Sequence, residues 1–238
     1  MITACAVRLS ALDVIRTAAT VITARGYYQP LSRQWEKAVP TAMDVEAVLF
    51  GHELHEPGDA VLFARTATEV PATLPAAVLE WCRTGTAEQS DYRAKLARTV
   101  RADHVTSGDI PLLSSAVAAW QREQRRSDRA AQEAADALHS RHQGDVKERI
   151  TRTVTVAAVI QLPTRTYGYR TQERYLIKLR DDEGNVYVWT ASPKDPATLP
   201  SPDARIEIKG TVAQHDTYRA TAQTYISRCR WKAAPASN

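Results

Sequence analysis

The sequence predicts an α+β chain: a mainly helical N-terminal region, a long helix, and a C-terminal five-stranded antiparallel barrel. Three observations carry this. Apolar residues recur at helical spacing in several stretches before about residue 120, as at Leu12, Ile15, Ala18 and Ile22, with mixed signals over Tyr27 to Val70. From Ile150 the pattern changes to alternation rich in Thr, Val and Tyr, with a hairpin signal at Asp181-Asp182-Glu183-Gly184-Asn185. A loop with four prolines (Pro193, Pro196, Pro200, Pro202) then interrupts the strands.

The first helix is expected over Ala11 to Arg25, capped by Ser10 and stopped by Gly26. Thr41 to Phe50 reads as a short helix, Ala60 to Arg65 as a short strand after the Pro57-Gly58 turn, and Pro75 to Arg83 as a helix ended by Gly85. Ser90 can cap a helix through about Ala102, with Tyr92, Leu96 and Val100 on one stripe. Asp109 can cap a longer one from Pro111 to about His139, since Pro is tolerated in the first turn. The later half of that helix, Gln121 to Arg141, is alanine and charge, so it reads as a solvated arm hinged at Gly144. Strands are expected at 150–161, 174–180, 186–191, 204–213 and 221–231. The domain division is therefore a mainly helical domain at 1–88, a helical pair with solvated arm at 89–143, a barrel at 145–232 and a frayed tail at 233–238. Five strands in about ninety residues fit an OB-like β-barrel most economically. A five-stranded meander or an SH3-like barrel competes, and the usual OB-fold helix between strands three and four is replaced by the proline-rich loop.

Charge and aromatics divide unevenly. Residues 147–238 carry 15 Lys/Arg against 9 Asp/Glu, whereas residues 1–146 carry 16 against 18. Six of the nine tyrosines also lie after residue 146, which suggests either two jobs on one chain or a β domain that uses more tyrosine for strand packing. An OB-fold grips its ligand on the face of strands two and three and with the loops joining strands one–two and four–five. The first loop carries Arg165, Tyr167, Tyr169 and Arg170 around Gly168, and the second carries His215, Tyr218 and Arg219. These loops are expected at one common mouth, with rings to stack bases and cations to hold phosphates. Lys178 and Trp189 complete the candidate site. Strand three has two readings. In one, Asp181–Gly184 forms the loop and Tyr187 and Trp189 face outward with Lys178. In the other, Asp181 pairs with Asn185 and Trp189 sits beside Ile177 in the core, which the cost of exposing Trp favours.

Other chemistry is not signalled. His52-Glu53-Leu54-His55 lacks the four-residue histidine spacing of a helical zinc motif, and His139 and His142 suit the end of a charged helix. No nucleotide-binding or nucleophile-elbow pattern occurs, so no enzyme activity and no cofactor are expected. The Arg122, Arg125, Arg126, Arg129 cluster is interleaved with acids and reads as a solvated face. Three scattered cysteines, no greasy leader and no membrane-length apolar run suggest a cytoplasmic protein.

Leu9 to Pro30, ending in Gly26-Tyr27-Tyr28, resembles the opening of a helical family common in actinobacterial genomes. Residues 145–232 resemble a C-terminal OB-like domain of actinobacterial phage and mobile-element proteins. The matching stretches are Tyr167-Gly168, Asp182-Glu183-Gly184-Asn185, Val188-Trp189, Lys209-Gly210-Thr211-Val212, His215, Tyr218, Gln223-Thr224 and Arg228-Cys229. That resemblance implies non-catalytic binding of single-stranded DNA or RNA with little sequence preference. The alternative is a scaffold protein of the same origin whose barrel docks a protein. The helical region would meet a protein partner or a second copy.

Overall fold

A computed structural model describes residues 9–35, 37–102, 104–167 and 170–234, leaving aside the side chains at 166, 167, 170 and 171. The chain is α+β and divides into two compact units, Met1–Arg126 and Ser127–Asn238. Among the described residues no helix is long and apolar enough to cross a membrane.

The first unit is built of α1 (Ala11–Arg25), α2 (Thr41–Phe50), α3 (Asp59–Glu69), α4 (Thr73–Arg83), α5 (Asp91–Arg101) and the start of α6 (Ile110–His139). Local chemistry sets the ends. Ser10 Oγ accepts from the Asp13 amide at 3.1 Å, and Gly26 takes a φ of 84° beyond the last turn of α1. Ser90 Oγ accepts from the Arg93 amide at the start of α5. The Asp109 carboxylate accepts from the Thr106 amide and hydroxyl, so Thr106 caps the turn that leads into α6 and Asp109 is its reciprocal partner. Residues 60–65 are helical rather than extended. Asp59, Phe63 and Thr66 are the buried positions, at four- and three-residue spacing, a period that an apolar Ala-Val-Leu-Phe-Ala run leaves undecided in the sequence.

Val14, Ile15, Val45, Phe63, Val78, Leu96, Leu113 and Val117 form one core. Helix α5 therefore belongs to the same body as α1–α4, and the expected boundary at 88/89 is replaced by one inside α6. Arg25 ties the body together, its guanidinium lying 3.0 Å from Asp44 and 2.7 Å from Asp59, both carboxylates nearly inaccessible.

The second unit contains β1 (Arg149–Tyr167), β2 (Arg170–Arg180), β3 (Val186–Ala191), β4 (Arg205–Tyr218) and β5 (Thr221–Ala233). They pair in the closed order β1-β2-β3-β5-β4, with β4 returning to β1. The sheet is mixed, not antiparallel: β5 runs parallel to β3. After the proline-rich connection β4 pairs with β1, and its hairpin partner β5 fills the remaining gap beside β3, where its direction is already set. Strand β1 continues through Pro163 to Tyr167, and the pairing slips between Leu162 and Arg165, an irregularity of the kind that tolerates a proline. Strand β4 likewise runs on to Tyr218, so the β4–β5 connection is only Arg219-Ala220, both with positive φ (49° and 65°), as a two-residue hairpin turn demands.

Ile150, Val154, Val156, Ile177, Leu179, Ile206, Ile208, Val212 and Ile226 fill the interior. The register resolves strand three. Asp181 pairs with Asn185, Arg180 faces Val186, and Ile177 faces Trp189. Tyr187 is therefore buried, its hydroxyl donating to Asp181 at 2.8 Å. Burial, and then that hydrogen bond, push its pKa well above the ordinary tyrosine value.

The last turns of α6 are part of this unit. The helix is exposed from Arg122 to Ala134, but Asp136 is buried and accepts from Lys178, from Arg180 twice and from Gln132. Just beyond the helix, Ser140 Oγ donates to the Ala222 carbonyl and accepts from the Val186 amide, while the Arg141 and Gln143 amides donate to Asn185 and Thr224. The expected solvated arm thus ends as a docked segment against β2, β3 and β5. A stretch without large apolar residues docks because its polar groups are satisfied one by one.

Gly210 tests how tightly the barrel is packed. A Cβ there would collide with Ile226 Cγ2 and stand 3.2 Å from the Ser227 carbonyl oxygen. Gly210→Ala should destabilise the protein by about 1–3 kcal/mol by overpacking, measured as a lowered denaturation midpoint with an unchanged m-value.

Candidate nucleic-acid interface

The two loops that the sequence assigns to one mouth do not share one. The β1–β2 hairpin ends at the pair Tyr167↔Arg170. Strand β2 then runs ten residues on to Arg180, which faces Val186; Val186 faces Gln223, two residues from the Tyr218↔Thr221 pair that closes the β4–β5 hairpin. The hairpins lie at opposite ends of the β2-β3-β5 surface, about 30 Å apart along the strands at the usual rise per residue. The parallel β3–β5 pairing is the cause, because it sets the start of β5 beside the β2–β3 turn.

The individual candidates fare differently. Arg165 is exposed on β1, opposite Gln172. Tyr167 and Arg170 are placed only by their backbone pairing, and Tyr169 lies outside the described residues. Lys178 is engaged by Asp136 at 2.7 Å and is not available to a phosphate, which removes the only lysine assigned to the β2–β3 face. His215 is on β4 rather than in a loop, its ring stacked on His142 at 4.6 Å and nearly parallel. Tyr218 is 56% exposed, with the Arg219 guanidinium 5.3 Å from its ring centroid. Arg219 also lies 3.7 Å from Glu133. The second loop therefore offers one open ring and one cation already near a carboxylate.

A better-formed surface lies where β3 and β5 part. Their last pair is Trp189↔Ile226, after which Arg228 takes a positive φ of 50° and β5 turns away along β4. The gap is a groove of about 340 Å³ lined by Trp189, Pro193, Leu199, Arg228, Cys229 and Trp231, among others. Trp189 is half-buried against the barrel core and Trp231 is 37% exposed. Burial pushes the Cys229 thiol up to about 12, so it stays protonated and contributes an apolar wall rather than a nucleophile. On the outer face nearby, Lys209 stands opposite Arg230 on the β4–β5 ladder, and both are exposed.

Of this groove, sequence reasoning named only Trp189. Trp231 and Arg228 were missed, although Arg228-Cys229-Arg230-Trp231-Lys232 alternates cations with an aromatic, the composition that a base-stacking, phosphate-holding strand requires. Comparison with known proteins finds no matching family model, no similar curated protein and no similar solved structure, so the functional reading rests on this geometry.

Proposed function

We propose that the C-terminal unit is an OB-like barrel that binds single-stranded nucleic acid, without transforming it, in the groove between Trp189 and Trp231. The observation that carries this is two indole rings and a guanidinium lining one open groove at the edge of a small barrel. Indole faces stack on any base, at about 1–3 kcal/mol per base, which fits binding with little sequence preference. Arg228 in the groove, with Lys209 and Arg230 on the adjoining strands, supplies charge for the backbone. The strand order β1-β2-β3-β5-β4 with a parallel β3–β5 pair supports the OB-like assignment. The reading departs from the sequence expectation in one respect. The central β2–β3 face is occupied by Asp136 and the end of α6, so the ligand path is displaced toward the β3–β5 gap.

Fluorescence polarisation of labelled single- and double-stranded oligonucleotides against the full chain tests it. Single strands should bind more tightly than duplex, with tryptophan fluorescence quenched in step and affinity falling as salt rises, because phosphate contacts release counterions. Absence of binding at low salt, or affinity indifferent to salt, would overturn the proposal.

A further inference from the structure

The helical unit carries a second polar hollow that the barrel's function does not use. Trp81 on α4, Gln89, Ser90, Tyr92 and Arg93 around the start of α5, and Arg122, Glu123 and Arg126 on α6 line a hollow of about 360 Å³. Arg93 is its floor. This side chain belongs to a residue only 8% exposed, and its guanidinium carbon lies 3.5 Å from the Trp81 ring centroid. Its Nε donates to Gln89 at 3.3 Å, and among the described residues its buried Nη1 has no hydrogen-bond partner. A buried guanidinium nitrogen left unpaired is costly, and in a native protein it marks a place where an acceptor belongs.

The surroundings say what kind of acceptor. Arg122 and Arg126 stand one turn apart on α6 and both border the hollow; among the described residues neither forms an ion pair. Like charges at that spacing repel on a helix unless an anion lies between them. Among the described residues the one carboxylate bordering it, Glu123, accepts from the Trp81 indole at 3.0 Å. Three guanidiniums against one carboxylate leave two positive charges. The Ser90 hydroxyl, which accepts from the Arg93 amide, retains its own proton to donate.

We propose that this hollow binds a phosphate dianion, free or carried as a monoester on a small molecule, with the Arg93 guanidinium at its base and Arg122 and Arg126 closing on it from α6. Guanidinium forks match phosphate oxygens in pairs, and the volume, at the low end of small-molecule sites, suits one such group and a short attached body rather than a polymer.

Isothermal titration of the full chain with inorganic phosphate, ribose 5-phosphate and ribose tests this. One or both phosphates should bind and ribose should not; the tighter of the two identifies whether the anion is free or esterified. The double variant R122Q/R126Q changes only exposed side chains and should keep the fold by circular dichroism while losing at least about tenfold in affinity. Arg93→Lys, which keeps the charge but loses the fork, should weaken binding as well. Absence of heat with either phosphate up to about 10 mM, or affinity unchanged in the double variant, overturns the proposal.

Discussion

Asp136→Ala is expected to lower the stability of the protein by about 3 kcal/mol, the range found when one partner of a buried ion pair is removed. The Asp136 carboxylate is 1% exposed, and it receives Lys178 at 2.7 Å and Arg180 through two nitrogens at 2.8 and 2.9 Å. Both cations are themselves about three-quarters buried, so deleting the acid leaves two poorly hydrated positive charges facing each other. The effect carries a pH signature. Burial alone would raise the Asp136 pKa, but the hydrogen bonds from Arg180 and Lys178 outweigh it and hold the carboxyl below its ordinary value. The folded protein therefore binds this proton less readily than the unfolded chain. The stabilisation is fully present above the unfolded aspartate pKa of about 3.9 and is lost as pH falls through the lower folded value. Urea denaturation of wild type and Asp136→Asn between neutral pH and the acid limb should show the two curves converging below about pH 4. Equal midpoints at neutral pH would show that the clamp contributes nothing.

Trp189→Ala combined with Trp231→Ala should nearly abolish oligonucleotide binding. If each ring stacks one base, their joint removal costs about 2–6 kcal/mol, or between about thirtyfold and about twenty-thousandfold in affinity. The single variants separate binding from folding. Trp231 is the more exposed ring, so Trp231→Ala should leave the denaturation midpoint nearly unchanged while losing about tenfold in affinity. Trp189 packs on the barrel core, so Trp189→Ala should lower both, through the cavity it leaves. Tyr218→Ala, at the far hairpin, provides the contrast. If it weakens binding more than Trp231→Ala does, the ligand follows the β4–β5 turn and the groove is not the site.

How far the residues alone led can be judged from particular positions. Helices α1 and α5 were legible because their caps and stops are local: Ser10 and Ser90 accept from amides three residues on, and the Gly26 amide donates back to the Ile22 carbonyl. The strand-three register was legible as a choice between two states, and the burial of Tyr187 followed the state favoured by the cost of exposing Trp. Residues 60–65 were misread because a short apolar run has no period of its own. Lys178 looked like a ligand contact because its partner lies 42 residues upstream, in the half of α6 that lacks an apolar face. Nothing local announces that Asp136, among the four acids on that helix, is the one a barrel will enclose.

The sequence by itself determined the helical and β-rich halves, the change of period near residue 150, the local helix caps and the turn after β2, since each depends on interactions within a few residues. Tertiary structure alone decided that β5 lies parallel to β3. That pairing sends the two hairpins to opposite ends and gathers Trp189, Arg228 and Trp231 into one groove, while the docking of α6 gives Asp136 its cations on β2. These are relations between segments tens of residues apart, and they are set by which strand edge remains unpaired when the barrel closes, a quantity that no local pattern encodes.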